Sequence, residues 1–275
     1  MKKLLALVLT AAMTMTMLTA CGSSTEEVVE TTEETTAEET TTEEAAVSEA
    51  LADGVLTVGT NAEFPPFEYV NDNGEPDGFD MALVKAIGEK LGVEVEIENM
   101  EFASLVTSIG TKIDIAAAGM TVTEERKQTV DFTNPYYEAV QYVILPVDSE
   151  IATAADLEGK TIGVQLGTTG DFIATDIAGT TVSSYNKAVD AVNDLINGKV
   201  DCVIIDKNPA LVFESKFEGQ VVAVDGAQFD FEVENYAIAL PKGDTVLADQ
   251  INAAIEELKA DGTFDELVKT YIEAE

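Results

Sequence analysis

The 275-residue chain has no histidine, no tryptophan, two cysteines and a single arginine, Arg126. Two cysteines cannot build a disulfide framework, and without histidine no Cys/His metal site can form. General acid–base catalysis near neutral pH also loses its commonest group. Basic residues are scarce: 15 lysines and arginines face 52 aspartates and glutamates, for a net charge of −37. That charge argues against binding nucleic acid and against lying on an anionic bilayer. Beyond the first twenty residues no long apolar run occurs, so no second membrane anchor is expected. No cofactor is implied.

What is present begins with Met1-Lys2-Lys3, a basic start, followed by an apolar stretch from Leu4 to Leu18 and then Thr19-Ala20-Cys21-Gly22. Basic, apolar, then small residues is the layout of a secretion signal, and the stretch is short for a membrane span. The Leu-x-Ala-Cys ending resembles a bacterial lipobox. That resemblance implies removal of residues 1–20 and lipidation of Cys21, hence an anchored protein on the extracytoplasmic face of the cell membrane. The other cysteine, Cys202, lies in the apolar run Cys202-Val203-Ile204-Ile205 and reads as a buried small hydrophobe. Residues 22–50 are almost only Thr, Glu, Ser, Ala and Val, with ten glutamates and no basic residue. Such a segment cannot bury enough apolar surface to offset its ordering entropy, so residues 21–52 are expected to form a disordered acidic tether. A coil of this length reaches about 30 Å.

The remaining stretch, 53–275, is long enough for one large domain or two lobes. Val55–Thr60 reads as a strand running into the loop Asn61 to Phe67. Gly78-Phe79-Asp80 opens a helix with apolar Met81, Val84, Ile87 and Leu91, and Gly92 stops it. Val93–Ile97 alternates as a half-buried strand, Phe102–Ile109 reads as helix, and Ile113–Ala118 as a buried strand. This order implies a parallel sheet with helices on its faces, with ligands beyond the carboxyl ends of the strands. Val130–Tyr137, rich in aromatics and proline, reads as a packed bend. A second α/β series follows. It has strands at Gln141–Pro146, Thr161–Gln165, Val182–Tyr185, Asp201–Ile205 and Val221–Val224, and helices from Leu166, Ala188 and Asn208. Tyr236–Leu240 reads as a strand returning to the first lobe, and two helices, 245–259 and 263–272, close the chain. The fold class is therefore α/β with two lobes, 53–141 plus 236–275 and 142–235. Two parallel-rich sheets are joined by two crossing strands near Tyr142 and Tyr236. A double hinge suits a ligand that both lobes close around.

The stretch Ala118-Gly119-Met120-Thr121-Val122-Thr123-Glu124-Glu125-Arg126 carries the lone arginine beyond a strand end. A guanidinium offers a planar fork that fits a carboxylate with two parallel bonds. Threonine hydroxyls and a close-approaching glycine sit beside it. On Leu166-Gly167-Thr168-Thr169-Gly170, a helix start presents N–H groups and a positive dipole end to an anion.

With these motifs in order, the chain resembles the extracellular solute-binding proteins of family 3, the amino-acid-binding proteins of ABC importers, from about Val55 to Tyr271. Gly59-Thr60-Asn61, Phe64-Pro65-Pro66-Phe67-Glu68, Gly78-Phe79-Asp80, the Gly119–Arg126 stretch, Val130-Asp131-Phe132-Thr133 with Pro135-Tyr136-Tyr137, Gly163–Gly170 and Lys259–Thr263 carry the resemblance. It implies a type II periplasmic-binding-protein fold, an amino-acid ligand, an ABC permease as partner and a monomer. It also implies roles. Arg126 would pair with the α-carboxylate, helped by Thr121 and the N–H of Thr169. The Gly119 carbonyl, the Thr121 hydroxyl and Asp206 would take the α-ammonium. Phe64 and Phe102 would cover the ligand side chain from opposite faces, and Asn61, Gln165 and Ile205 would vary with ligand. Asn61 and Gln165 as facing amides suit a polar uncharged side chain such as glutamine or cystine. The acidic surface, with Glu63 or Glu101 able to swing in, keeps arginine and lysine open, and no further cation matches glutamate or aspartate. Two other functions fit the same fold: a cyclohexadienyl-dehydratase-like enzyme, against which the absence of histidine argues, and a sensory module reporting the ligand to a receptor.

Overall fold

The computed structural model describes residues 48–273. The expected signal segment, Cys21 and most of the acidic stretch lie outside the described residues. The expected tether ran to residue 52, yet its last residues belong to the fold. Ser48 donates to Asp244 Oδ2 at 2.7 Å, a 3₁₀ turn covers Glu49–Leu51, and Leu51 is buried. Leu51 is the first large aliphatic side chain after the Thr/Glu run, and burying it holds the turn in place.

Among the described residues fourteen strands occur in chain order: β1 (Val55–Thr60), β2 (Glu63–Phe64), β3 (Glu68–Val70), β4 (Pro76–Asp77), β5 (Glu94–Asn99), β6 (Ile115–Ala116), β7 (Val130–Phe132), β8 (Tyr137–Pro146), β9 (Thr161–Gln165), β10 (Thr181–Tyr185), β11 (Cys202–Asp206), β12 (Val221–Asp225), β13 (Val233–Tyr236) and β14 (Ala239–Pro241). Seven α-helices accompany them among the same residues: α1 (Phe79–Leu91), α2 (Leu105–Ser108), α3 (Thr169–Asp176), α4 (Ala188–Ile196), α5 (Lys207–Lys216), α6 (Thr245–Asp261) and α7 (Thr263–Leu267).

Two sheets organise them. The first runs β5-β1-β6-β14-β7, with β5, β1 and β6 parallel and β14 antiparallel to both its neighbours. The second runs β10-β9-β11-β8-β12, with β8 the antiparallel member. Strand β8 is long because it does two jobs. Gln141–Pro146 pairs with β11 and β12, while Tyr137–Val140 pairs with β13 outside the main order. The ribbon of β8 and β13 is the paired crossing between the lobes. Phe67 packs edge-on against Tyr137 and Tyr236 of that ribbon, with ring centroids 5.0 and 5.2 Å apart, a favourable aromatic geometry.

Several elements differ from the sequence reading. Val130–Phe132, read as a bend, is an edge strand of the first sheet against β14; only Val130 of the three is buried there. Phe102–Ile109 is not one helix. A 3₁₀ turn, Phe102–Ser104, precedes α2, and the Thr107 and Ser108 hydroxyls both donate back to the Ser104 carbonyl. Short hydroxyl side chains compete in this way with the helical ladder. Tyr236–Leu240 is not continuous either. The Ala237 N–H goes to the Met120 carbonyl and the Ile238 N–H to Thr133 Oγ1, so the ladder is interrupted between β13 and β14. Pairing of Ile113–Ala118 narrows to Ile115–Ala116. The loop after β1 also carries a small sheet, β2-β3-β4, unmarked by any periodicity.

Candidate functional site

The lobes meet over a cleft whose floor is built by strand ends and helix starts. On the first lobe, Asn61 follows β1, Phe64 ends β2, and the loop Gly119–Glu125 leaves β6. Gly119 holds φ at +50°, and a Cβ there would lie 3.2 Å from the Phe64 ring. On the second lobe, Gln165 ends β9, Thr168 caps α3 by accepting from the Asp171 N–H, and Asp206 ends β11. Nine residues singled out from the sequence, namely Asn61, Phe64, Phe102, Gly119, Thr121, Arg126, Gln165, Thr169 and Asp206, line one cavity, with Ala118 and Thr168 added. The cavity volume is only about 10 Å³, room for about one water. The lobes are closed: Gln165 Nε2 donates to Asn61 Oδ1 at 2.8 Å, and Arg126 Nη2 donates to the Gly167 carbonyl at 3.0 Å. At the rim Lys187 pairs with Glu63.

Arg126 sits in a 3₁₀ turn, Arg126–Gln128, and is 7% exposed. Its Nη1 donates to the Thr121 carbonyl at 2.6 Å, and its guanidinium carbon lies 5.4 Å from the centre of the Phe102 ring. Among the described residues it is in no ion pair. Burial pushes its pKa down to about 10, so it stays charged at neutral pH. Asp206 is equally buried and accepts the Tyr236 hydroxyl at 2.5 Å. Burial first, and the neighbouring Glu234 second, push its carboxyl up to about 7, against hydrogen bonds from Tyr236 and Gln141. The cavity thus holds a cation fixed on one lobe and a carboxyl poised between charge states on the other.

The side-chain end is an amide relay. Asn61 Nδ2 donates to the Met100 carbonyl at 2.8 Å, and Gln165 Nε2 bridges Asn61 Oδ1 and the Asn186 carbonyl. The two amides do face each other. Gln165 Oε1 is buried without a donor. Glu63 and Glu101 line no part of the cavity; Glu63 is engaged by Lys187. Ile205 is buried in the core and does not reach the cavity lining either.

Sequence reasoning missed two carboxylate arrangements. Glu234, on β13, accepts from Thr121 Oγ1 at 2.5 Å and from Thr169 Oγ1 at 2.7 Å. No motif marks it, because the strand carrying it is short and exposed at Val233. Behind the Gly119 loop, Asp80 Oδ2 accepts the Gly119 N–H and the Tyr136 hydroxyl, each at 2.8 Å. Burial raises the Asp80 carboxyl to about 6 and its neighbour Glu68 well above the usual range. The buried cysteine, Cys202, is pushed up to about 12 by burial and is chemically quiet at neutral pH.

The arginine-binding extracellular protein ArtP of Bacillus subtilis (strain 168) is 35% identical over 225 residues, covering 80% of this chain and 87% of ArtP. The structure of holo ArgBP from T. maritima is 41% identical with a TM-score of 0.72, covering 78% of this chain and 94% of that one. An ancestral arginine-binding protein has been solved with arginine (39% identity, TM-score 0.75, 80% of this chain and 98% of that one) and with glutamine (40%, 0.75, 80% and 98%). The model of the bacterial extracellular solute-binding proteins, family 3, matches residues 56–274, and the chain belongs to that family.

Proposed function

We propose that the protein binds an L-amino acid between its lobes outside the cytoplasm and delivers it to an ABC permease. The carrying observation is that a buried guanidinium, Arg126, which is in no ion pair among the described residues, and a buried carboxyl, Asp206, line one cavity. An α-amino acid is a zwitterion and needs one cation and one anion a few ångströms apart. Arg126, with the N–H groups of Thr121 and Thr169, takes the α-carboxylate. Asp206, the Gly119 carbonyl and the Thr121 hydroxyl take the α-ammonium. A ligand touching both lobes favours the closed form through those differential contacts.

At the side-chain end Gln165 Oε1 is an acceptor without a donor, while both amide nitrogens already donate to protein oxygens. That end calls for a donor-bearing side chain between Phe64 and Phe102. A planar guanidinium supplies donors and stacks on aromatic faces. Arginine is therefore placed first, ahead of the neutral amides favoured by the facing pair alone. Glutamine is the second reading, supported by its complex with the ancestral relative.

The reading is of a carrier rather than an enzyme, supported by relatives that are solute-binding proteins. Lipidation at Cys21, removal of residues 1–20, the lobe limits near 141 and 236, and a monomeric state complete the reading. Calorimetry with the standard amino acids tests it. Arginine or glutamine should bind at micromolar affinity or tighter, and turnover of prephenate or arogenate would argue for the enzyme instead. Mass spectrometry of the membrane-extracted protein tests the diacylglyceryl group on Cys21.

A further inference from the structure

Glu234 stands on the crossing ribbon, between the lobes, and its Oε2 is reached by one hydroxyl from each side: Thr121 at 2.5 Å from the first lobe and Thr169 at 2.7 Å from the second. Both bonds run from threonine hydroxyl to carboxylate oxygen. Both threonines must therefore spend their single hydroxyl proton on Glu234. Each then has only lone pairs left for the cavity. Thr169 also accepts from Gln141 Nε2 at 3.1 Å, which uses one of its lone pairs. Thr121 keeps its acceptor capacity free, and it lines the cavity beside Gly119 and Asp206.

We propose that Glu234 is a positioning residue of the ligand site, fixing the Thr121 hydroxyl as an acceptor so that this corner of the cavity takes an ammonium group and refuses a second acceptor. The inference rests on the amino-acid reading above. It also gives the crossing ribbon a part in recognition, because the two hydroxyls meet one carboxylate oxygen only when the lobes are together.

The test compares L-arginine with argininic acid, which carries a hydroxyl where the α-ammonium stands, on the wild-type protein and on Glu234→Gln and Glu234→Ala. In Glu234→Gln the amide N–H can turn towards one threonine, whose proton then swings into the cavity. In Glu234→Ala both protons are released. Arginine affinity should fall about tenfold or more in each variant, the scale of a lost charge-assisted hydrogen bond, while argininic acid changes by no more than about threefold on the same scale. Equal losses for both ligands, or none, would overturn the proposal, since a merely structural role would move both together. Absence of heat with both ligands on the wild type would instead sink the arginine reading, and this inference with it. Thermal unfolding of the variants within a few degrees of wild type confirms that the comparison is between folded proteins.

Discussion

At Arg126 the account depends on a cation that is buried yet meets only carbonyls and an aromatic face. Arg126→Ala should lower ligand affinity by roughly 2–4 decades, because removing one partner of a buried charge pair costs about 3–5 kcal/mol; titration calorimetry reads it directly. Asp206 carries the pH dependence. Its carboxyl is raised to about 7 by burial and by Glu234, so the ligand-free fold prefers it protonated. That contribution to stability is present below about pH 4, where the unfolded group also holds its proton, and is lost as pH rises through about 7. Ligand binding reverses the preference, since an ammonium wants the ionised form. Affinity should rise by up to about tenfold per unit between pH 5 and 7 and level off above about 8. Binding near pH 6 should release close to one proton, read from the buffer dependence of the heat. Uptake of a proton would contradict the assignment. Arg126 stood out in the sequence as the sole arginine, whereas Asp206, Phe64 and Phe102 were named only through the family resemblance. Glu234 was marked by neither. One glutamate among so many carries no signal until the fold sets two hydroxyls against it.

The elements place these groups by their ends. Gly78 caps the start of α1 at φ +121°, and a Cβ there would meet the Phe67 carbonyl at 2.4 Å. Gly78→Ala combines left-handed strain with a backbone clash. It should cost of order 2–4 kcal/mol, seen as a lowered denaturant midpoint with unchanged slope. Where strands were long and apolar, as at β1, β9 and β11, period and length sufficed to find them, and Ala188–Ile196 was delimited by its apolar spacing and the following glycine. Where the chain changes partner, local pattern fails. The break between Tyr236 and Ala239 exists because Met120 and Thr133 take the backbone N–H groups, and nothing local in Ala237-Ile238 announces that. The two-residue strands β2, β4 and β6 are set by their neighbours in the same way.

On the scale of the whole molecule, closure is a sum of modest contacts across the cleft. Gln165 to Asn61, Arg126 to Gly167 and the two threonines on Glu234 are inside; the Lys187–Glu63 pair is at the rim. The lysine is half exposed, and an exposed pair contributes at most about 1 kcal/mol. Lys187→Ala should therefore shift ligand affinity by no more than about fivefold, measured at two salt concentrations. A cavity with room for about one water admits an amino acid only after the lobes part, so binding and lobe motion are one event. A ligand at a hundredfold excess over Kd adds about 2.7 kcal/mol, which for a fold of this size raises Tm by roughly 5–11 °C.

The measurement that bears most directly on the central claim is calorimetry of the protein, unfolded and refolded to strip bound ligand, against the twenty standard amino acids with cystine and ornithine. The account predicts micromolar or tighter binding of arginine, with glutamine the nearest competitor, abolished in both Arg126→Ala and Asp206→Ala. No heat from any member of the panel, or binding untouched by either substitution, would contradict it.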